Sequence, residues 1–189
     1  IYGFHTLELL QCMVERRRGG ESGVRAVTCL EGADVWKAAS EGKWSRGLLD
    51  AAAATLPDVT ADPAERACPN PVAFLIENTD GFRSVVLLLD GFTAQFGFAC
   101  QLKGKTEPVA TNVWLQEPGY GHFSYLVHNI ESMYLTGKEP YPPERTLLTT
   151  GILDAVMTSR FEGHKRIETP WLADIAYKAT HVTSRRAKF

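Results

Sequence analysis

The sequence predicts an α+β domain, a mainly antiparallel, open β-sheet with helices packed on one face. Three observations carry that reading. Val72, Phe74 and Ile76 alternate with Ala73, Leu75 and Glu77, the two-residue period of a strand. Asn78-Thr79-Asp80-Gly81 follows at once and supplies residues that tolerate positive φ, the chemistry of a hairpin turn. On both sides of this region the apolar residues change to helical spacing, with polar residues between them.

Taken in order, Phe4, Leu7, Leu10 and Val14 recur at helical spacing from the first residues, with no capping residue ahead of them. Arg16, Arg17 and Arg18 suit the negative end of the helix dipole, and Gly19-Gly20 supply a stop. A helix this apolar at residue 1 raises the expectation that sequence belonging upstream is missing. Residues 24–30 read as a short strand, and 33–39 and 46–56 as helices, with Ser45 capping the second. Residues 58–69, with acidic side chains and two prolines, form a surface connection into the sheet.

Residues 71–116 then hold three or four consecutive strands. The run 83–89 is apolar on both faces, as in a central strand covered on each side. In 93–102, Phe96, Phe98, Cys100 and Leu102 share one face, and the opposite face is small or polar, suited to close contact with another surface. Residues 109–115 complete the meander. A helix to about Thr136 carries Phe123, Leu126, Val127, Ile130, Met133 and Tyr134 as its apolar stripe, with Gly137 as its cap. A proline-rich connector leads to the longest helix, from Glu144 to about Phe161, with Leu147, Leu148, Ile152, Leu153, Val156 and Met157 inward. Ile167 lies in a short extended piece, and Pro170 opens a final helix. Residues 1–178 thus read as a single domain and 179–189 as a basic tail.

Length and composition narrow the function classes. A chain of 189 residues is long enough for one sizeable core, and 44% hydrophobic with 22% charged residues is a globular balance. A net charge of -2 provides no field that would draw the chain to nucleic acid or acidic lipid. No run approaches the ~20 apolar residues of a membrane span. Cys12, Cys29, Cys68 and Cys100 lack Cys-x-x-Cys spacing, and Cys12, Cys29 and Cys100 sit in apolar runs as small core residues, so a reducing, cytoplasmic setting is expected. Trp36, Trp44, Trp114 and Trp171 are dispersed and read as core or interface anchors, not as base-stacking platforms.

The histidines are the candidates for chemistry. His5 and Glu8 are three residues apart on one helix face, so the carboxylate could orient the imidazole for proton transfer; a hydrogen-bonded histidine at a helix start is the alternative. His122, with Tyr120, stands at a helix start where both could line a pocket. His122 and His128 are six apart and face different ways, which does not suit a shared metal. His164 and His181 are expected to be exposed. The Gly119-Tyr120-Gly121 run lacks the third glycine and the βαβ setting of a dinucleotide loop.

Gly3, His5 and Glu8 resemble the Gly-x-His-x-x-Asp part of a motif in the glucose–fructose oxidoreductase, inositol dehydrogenase and MocA family, with Glu8 in place of the aspartate and Ile1 where the family has an acidic residue. A second stretch, from Tyr141-Pro142-Pro143-Glu144-Arg145 through Gly163 to Glu168-Thr169-Pro170, is similar to the closing helix of that family and its return to the sheet. The resemblance spans roughly residues 1 to 178 and rests on the order of these pieces. It implies the C-terminal, substrate-binding and oligomerising domain of an NAD(P)-dependent oxidoreductase acting on a sugar, polyol or related hydroxy compound. His5 and Glu8 would then be catalytic, and Tyr2, Tyr120 and His122 would line the substrate pocket. NAD or NADP would be bound by a nucleotide-binding domain outside these residues, with no cofactor expected on this chain alone. Homo-oligomerisation through the sheet face, without nucleic acid or membrane, is the implied assembly. A stand-alone, non-catalytic binding or assembly module using the Phe96 and Phe98 face is the other reading.

Overall fold

A computed structural model describes residues 2–114 and 120–179. Its elements are α1 (Tyr2–Val14), β1 (Val24–Glu31), α2 (Ala33–Ser40), α3 (Arg46–Ala53), α4 (Ala64–Ala67), β2 (Val72–Asn78), β3 (Arg83–Leu88), β4 (Phe96–Cys100), β5 (Val109–Val113), α5 (Phe123–Thr136), α6 (Pro143–Phe161), β6 (Ile167–Glu168) and α7 (Pro170–Ala173). The architecture is α+β, with an open four-stranded antiparallel sheet in the order β3-β2-β1-β6 and a separate two-stranded ribbon of β4 and β5.

The continuous meander expected over residues 71–116 is therefore broken after β3. Asp90-Gly91 turns the chain away, with Gly91 at φ 93° and pressed against the Ala67 carbonyl, where a Cβ would stand 2.5 Å from the oxygen. The β2–β3 hairpin forms where the turn residues stand: Asn78 N–H donates to the Phe82 carbonyl, and Gly81 takes φ 83°. β1, the short strand of the first third, lies at the centre beside β2, with Val27 opposite Ile76 and Cys29 opposite Phe74.

Alternation along these strands fills two layers. Val27, Cys29, Phe74, Ile76 and Val86 point to one face, against Leu7 of α1 and Leu148, Ile152 and Val156 of α6. Burying one such side chain contributes about 1.5–3 kcal/mol. Leu30, Ala73, Leu75, Val85 and Leu87 point to the other face, under Val35 and Ala38 of α2, Trp44, and Leu49 of α3. Helices thus cover both faces, which corrects the one-sided arrangement expected. The apolar character of β3 on both faces follows from the same layering. α3 begins where Ser45 accepts a hydrogen bond from Leu48 N–H, as expected of its cap. Its far side receives the ribbon, where a Cβ on Gly97 would lie 3.3 Å from Leu56, so the small face of β4 packs closely on this helix and the residues after it.

Several side chains lie elsewhere than expected. In α6 the buried stripe is Arg145, Leu148, Thr149, Ile152, Ala155, Val156 and Ser159, whereas Leu147 and Met157 face outward. Cys12 is exposed and Cys100 half-buried, while Cys29 and Cys68 are buried. Trp44 is buried and donates its indole N–H to the Val35 carbonyl at 2.9 Å, but Trp114 and Trp171 are exposed. His164 is half-buried, its Nδ1 3.1 Å from the Cys29 carbonyl, because the turn after α6 folds back along β1. α5 has no buried residue, since no other described helix or strand packs extensively against it. His181 and Leu115 lie outside the described residues.

Candidate functional site

α1 sits close to the sheet because Gly3 allows it: a Cβ there would stand 3.2 Å from the Phe74 ring. From that position α1 lies along α6, and the contact between them is polar. Arg145, buried in α6, donates from Nη1 to Glu8 Oε2, from Nη2 to the Glu8 carbonyl at 3.0 Å, and from Nε to Glu15 Oε2 at 3.2 Å. Its Nη2 also lies 2.9 Å from Cys12 Sγ. Thr149 Oγ1, one turn on, donates to Glu8 Oε1 at 2.6 Å. Burial disfavours the Arg145 charge, yet Cys12, Glu8 and Glu15 outweigh it and hold the guanidinium above its usual pKa.

Glu15 extends this network by accepting from the Tyr177 hydroxyl at 2.8 Å. The same hydroxyl accepts from Gln11 Nε2, which also donates to Glu21 Oε2 at 2.7 Å. Glu21 is buried, with further bonds from Arg17, Asn78 Nδ2 and the amides of Ser22 and Gly23. Burial raises its pKa, but hydrogen bonds from Arg17 and Gln11 prevail and hold it below the ordinary carboxylate value.

The Tyr141 ring also lies against Arg145, its centroid 5.4 Å from the guanidinium carbon. Tyr141 lines an open cleft of about 420 Å³ between α5 and the start of α6. Leu126, Ile130, Met133 and Leu147 make its walls apolar, and Asn129, Glu139 and Thr146 are its polar members. That volume lies in the range of small-molecule sites.

The candidate residues from the sequence fall in two places. His5 is exposed on α1, its ring 6.0 Å from that of Phe4, and Tyr2 is exposed beside it. The orienting bond expected from Glu8 to His5 is replaced, because both carboxylate oxygens are engaged by α6. Glu8 therefore fixes the helix that carries His5. Tyr120 and His122 come together at the start of α5, with ring centroids 6.1 Å apart, Tyr120 being exposed and at φ 58°. Neither pair lines the cleft, and α1 makes no extensive contact with α5.

Sequence reasoning named Arg145 only within a motif, with no role, and passed over Thr149, Gln11, Glu15, Glu21 and Tyr177. One signal was present: Arg145 and Thr149 share the helical stripe of Leu148, Ile152 and Val156, and a cation on a buried stripe requires a carboxylate from a neighbouring element. No group of three or more residues suited to hold a metal occurs among the described residues, and no described helix is long and apolar enough to cross a membrane. Comparison with protein-family models, with curated proteins and with solved structures found no match for this chain.

Proposed function

We propose that this chain is the substrate-binding domain of an NAD(P)-dependent oxidoreductase acting on a sugar, polyol or related hydroxy compound. The observation that carries the reading is His5, solvent-accessible on a helix whose position is set by the pairing of half-buried Glu8 with buried Arg145. A proton-transfer residue must be reachable by substrate and held by rigid surroundings, and α1 meets both requirements. In this reading the His5 imidazole takes the hydroxyl proton while the carbinol carbon gives its hydride to a nicotinamide held by a separate nucleotide-binding domain. Glu8 is a positioning residue, and Tyr2, on the same helix as His5, is the polar aromatic group offered to the substrate, whereas Tyr120 and His122 stand together at the start of α5. The order of the sequence motifs and the open antiparallel sheet support the same assignment.

The test is steady-state kinetics of His5→Ala in the complete enzyme. Removing a general base lowers turnover by about 10²–10⁴ with a much smaller change in KM. Unchanged turnover would remove His5 from the reaction. The other reading, a binding or assembly module without turnover, is favoured by Phe96 and Phe98, which stay only half-buried on the ribbon. It predicts no NAD(P)-dependent oxidation of any polyol by the complete protein.

A further inference from the structure

We infer that α5 is the contact between two copies of this chain, paired helix to helix about a two-fold axis. Phe123, Leu126, Val127, Ile130, Met133 and Tyr134 repeat at spacings of three, one, three, three and one, two heptads of an apolar seam. Such a seam is the pattern a helix presents to another helix. Yet every one of these side chains is exposed, from 40% at Met133 to 82% at Tyr134, with Leu126, Ile130 and Met133 only flanked by the start of α6 across the cleft and no described helix or strand packed extensively on the seam.

The size of the surface fits a dimer. Together with Tyr141 and Leu147 across the cleft, the seam offers on the order of 800 Å² of accessible surface, close to what each partner contributes to a standard interface. The largest apolar patch of a typical monomer is about 300–600 Å². Its charge selects the occupant. Between Phe123 and Thr136 the only acidic or basic side chain besides His128 is Glu131, which lies off the seam and beside His128. Two copies can therefore meet along α5 without like-charge repulsion, which an isologous contact requires, and Glu139, in the connector to α6, is the one acidic side chain lining the cleft. A lipid surface is disfavoured, because the polar side of α5 has no lysine or arginine to meet acidic headgroups. The sequence of residues 180–189, with Arg185, Arg186 and Lys188, offers no apolar stripe to lie on the seam. The inference is independent of catalysis by His5.

Sedimentation equilibrium of the 189-residue chain tests it. The expected result is a particle of twice the 20.9 kDa chain mass at micromolar concentration. Val127→Glu with Tyr134→Glu, at positions 59% and 82% exposed, should raise the dimer dissociation constant at least about 100-fold, leave the circular dichroism spectrum unchanged and abolish the concentration dependence of the unfolding midpoint. A spin label on Glu131 should report a short distance between copies in the native chain and lose it in the double variant. A monomer throughout, or a dimer indifferent to the two glutamates, overturns the assignment.

Discussion

Arg145 Nε lies 3.2 Å from Glu15 Oε2, both side chains more than nine-tenths buried and 130 positions apart in the chain. This one guanidinium joins the first helix to the longest one, taking in Glu8 and Cys12 on the way. A buried ion pair seldom adds much net stability, but removing one partner strands the other.

Arg145→Ala should therefore destabilise the fold by about 3–5 kcal/mol, measured by urea denaturation. Combining Arg145→Met with Glu8→Gln and Glu15→Gln should recover a large part of the loss, because no charge is then left without a partner. Arg145→Lys should fall between, since an ammonium cannot span Glu8 and Glu15 as the guanidinium fork does.

Acid should weaken the fold through Glu77. Its carboxylate receives Arg166 at 2.7 Å and Arg25 at 3.0 Å, which, with Arg166 foremost, hold its pKa down at about 2. A folded pKa below the unfolded value of about 4.3 means that this contribution is complete above that value and is lost as pH falls from there through 2. Glu77→Gln should flatten the acid limb of the stability curve between pH 2 and 5, read from unfolding midpoints.

At the alkaline end the group is Tyr177. Burial, aided by Glu15, raises its phenol pKa above the ordinary value. The stability it confers is present below the unfolded pKa of about 10 and is lost as pH climbs beyond it. Tyr177→Phe should abolish that loss and, at neutral pH, destabilise by about 1–3 kcal/mol by leaving Gln11 and Glu15 short of a partner.

Two glycines in helices should respond oppositely. A Cβ on Gly151 would stand 2.5 Å from Leu172 Cδ2, itself buried under α6, so Gly151→Val should destabilise by about 1–3 kcal/mol. At Gly47, exposed in α3, the Cβ meets only Ser45 Oγ at 3.8 Å. Gly47→Ala should stabilise by about 0.5–1 kcal/mol, as helix propensity dictates, and thermal unfolding distinguishes the two signs.

Strands β1 to β3, the turn at Asp80-Gly81 and the helices α1, α5 and α6 were all legible in the sequence, because each rests on local periodicity and local turn chemistry. Side-chain destinations were less so. Leu147 and Met157 carry the same apolar signal as Leu148 and Val156, and only the placement of α6 across β1 decides which pair is buried. The break between β3 and β4 was hidden for a similar reason. Asp90-Gly91 reads as one more hairpin turn, but the close approach of Gly91 to the Ala67 carbonyl, which pulls the chain toward α4, is a tertiary contact. At the candidate site the pairing of His5 with Glu8 followed from spacing on one helix. The carboxylate instead answers a stronger demand from Arg145, 137 positions away, which no local pattern records.

The ribbon of β4 and β5 shares no strand pairing with the four-stranded sheet. Its amides can therefore open to solvent while the sheet stays closed, since cooperative units exchange according to their own stability. In native-state hydrogen–deuterium exchange, the amides of β4 that donate to β5 should lose protection well before those of Phe74 and Ile76. Transient opening would expose the surface where Gly97 meets Leu56, so the first site open to limited proteolysis is set by a sheet that was divided in two.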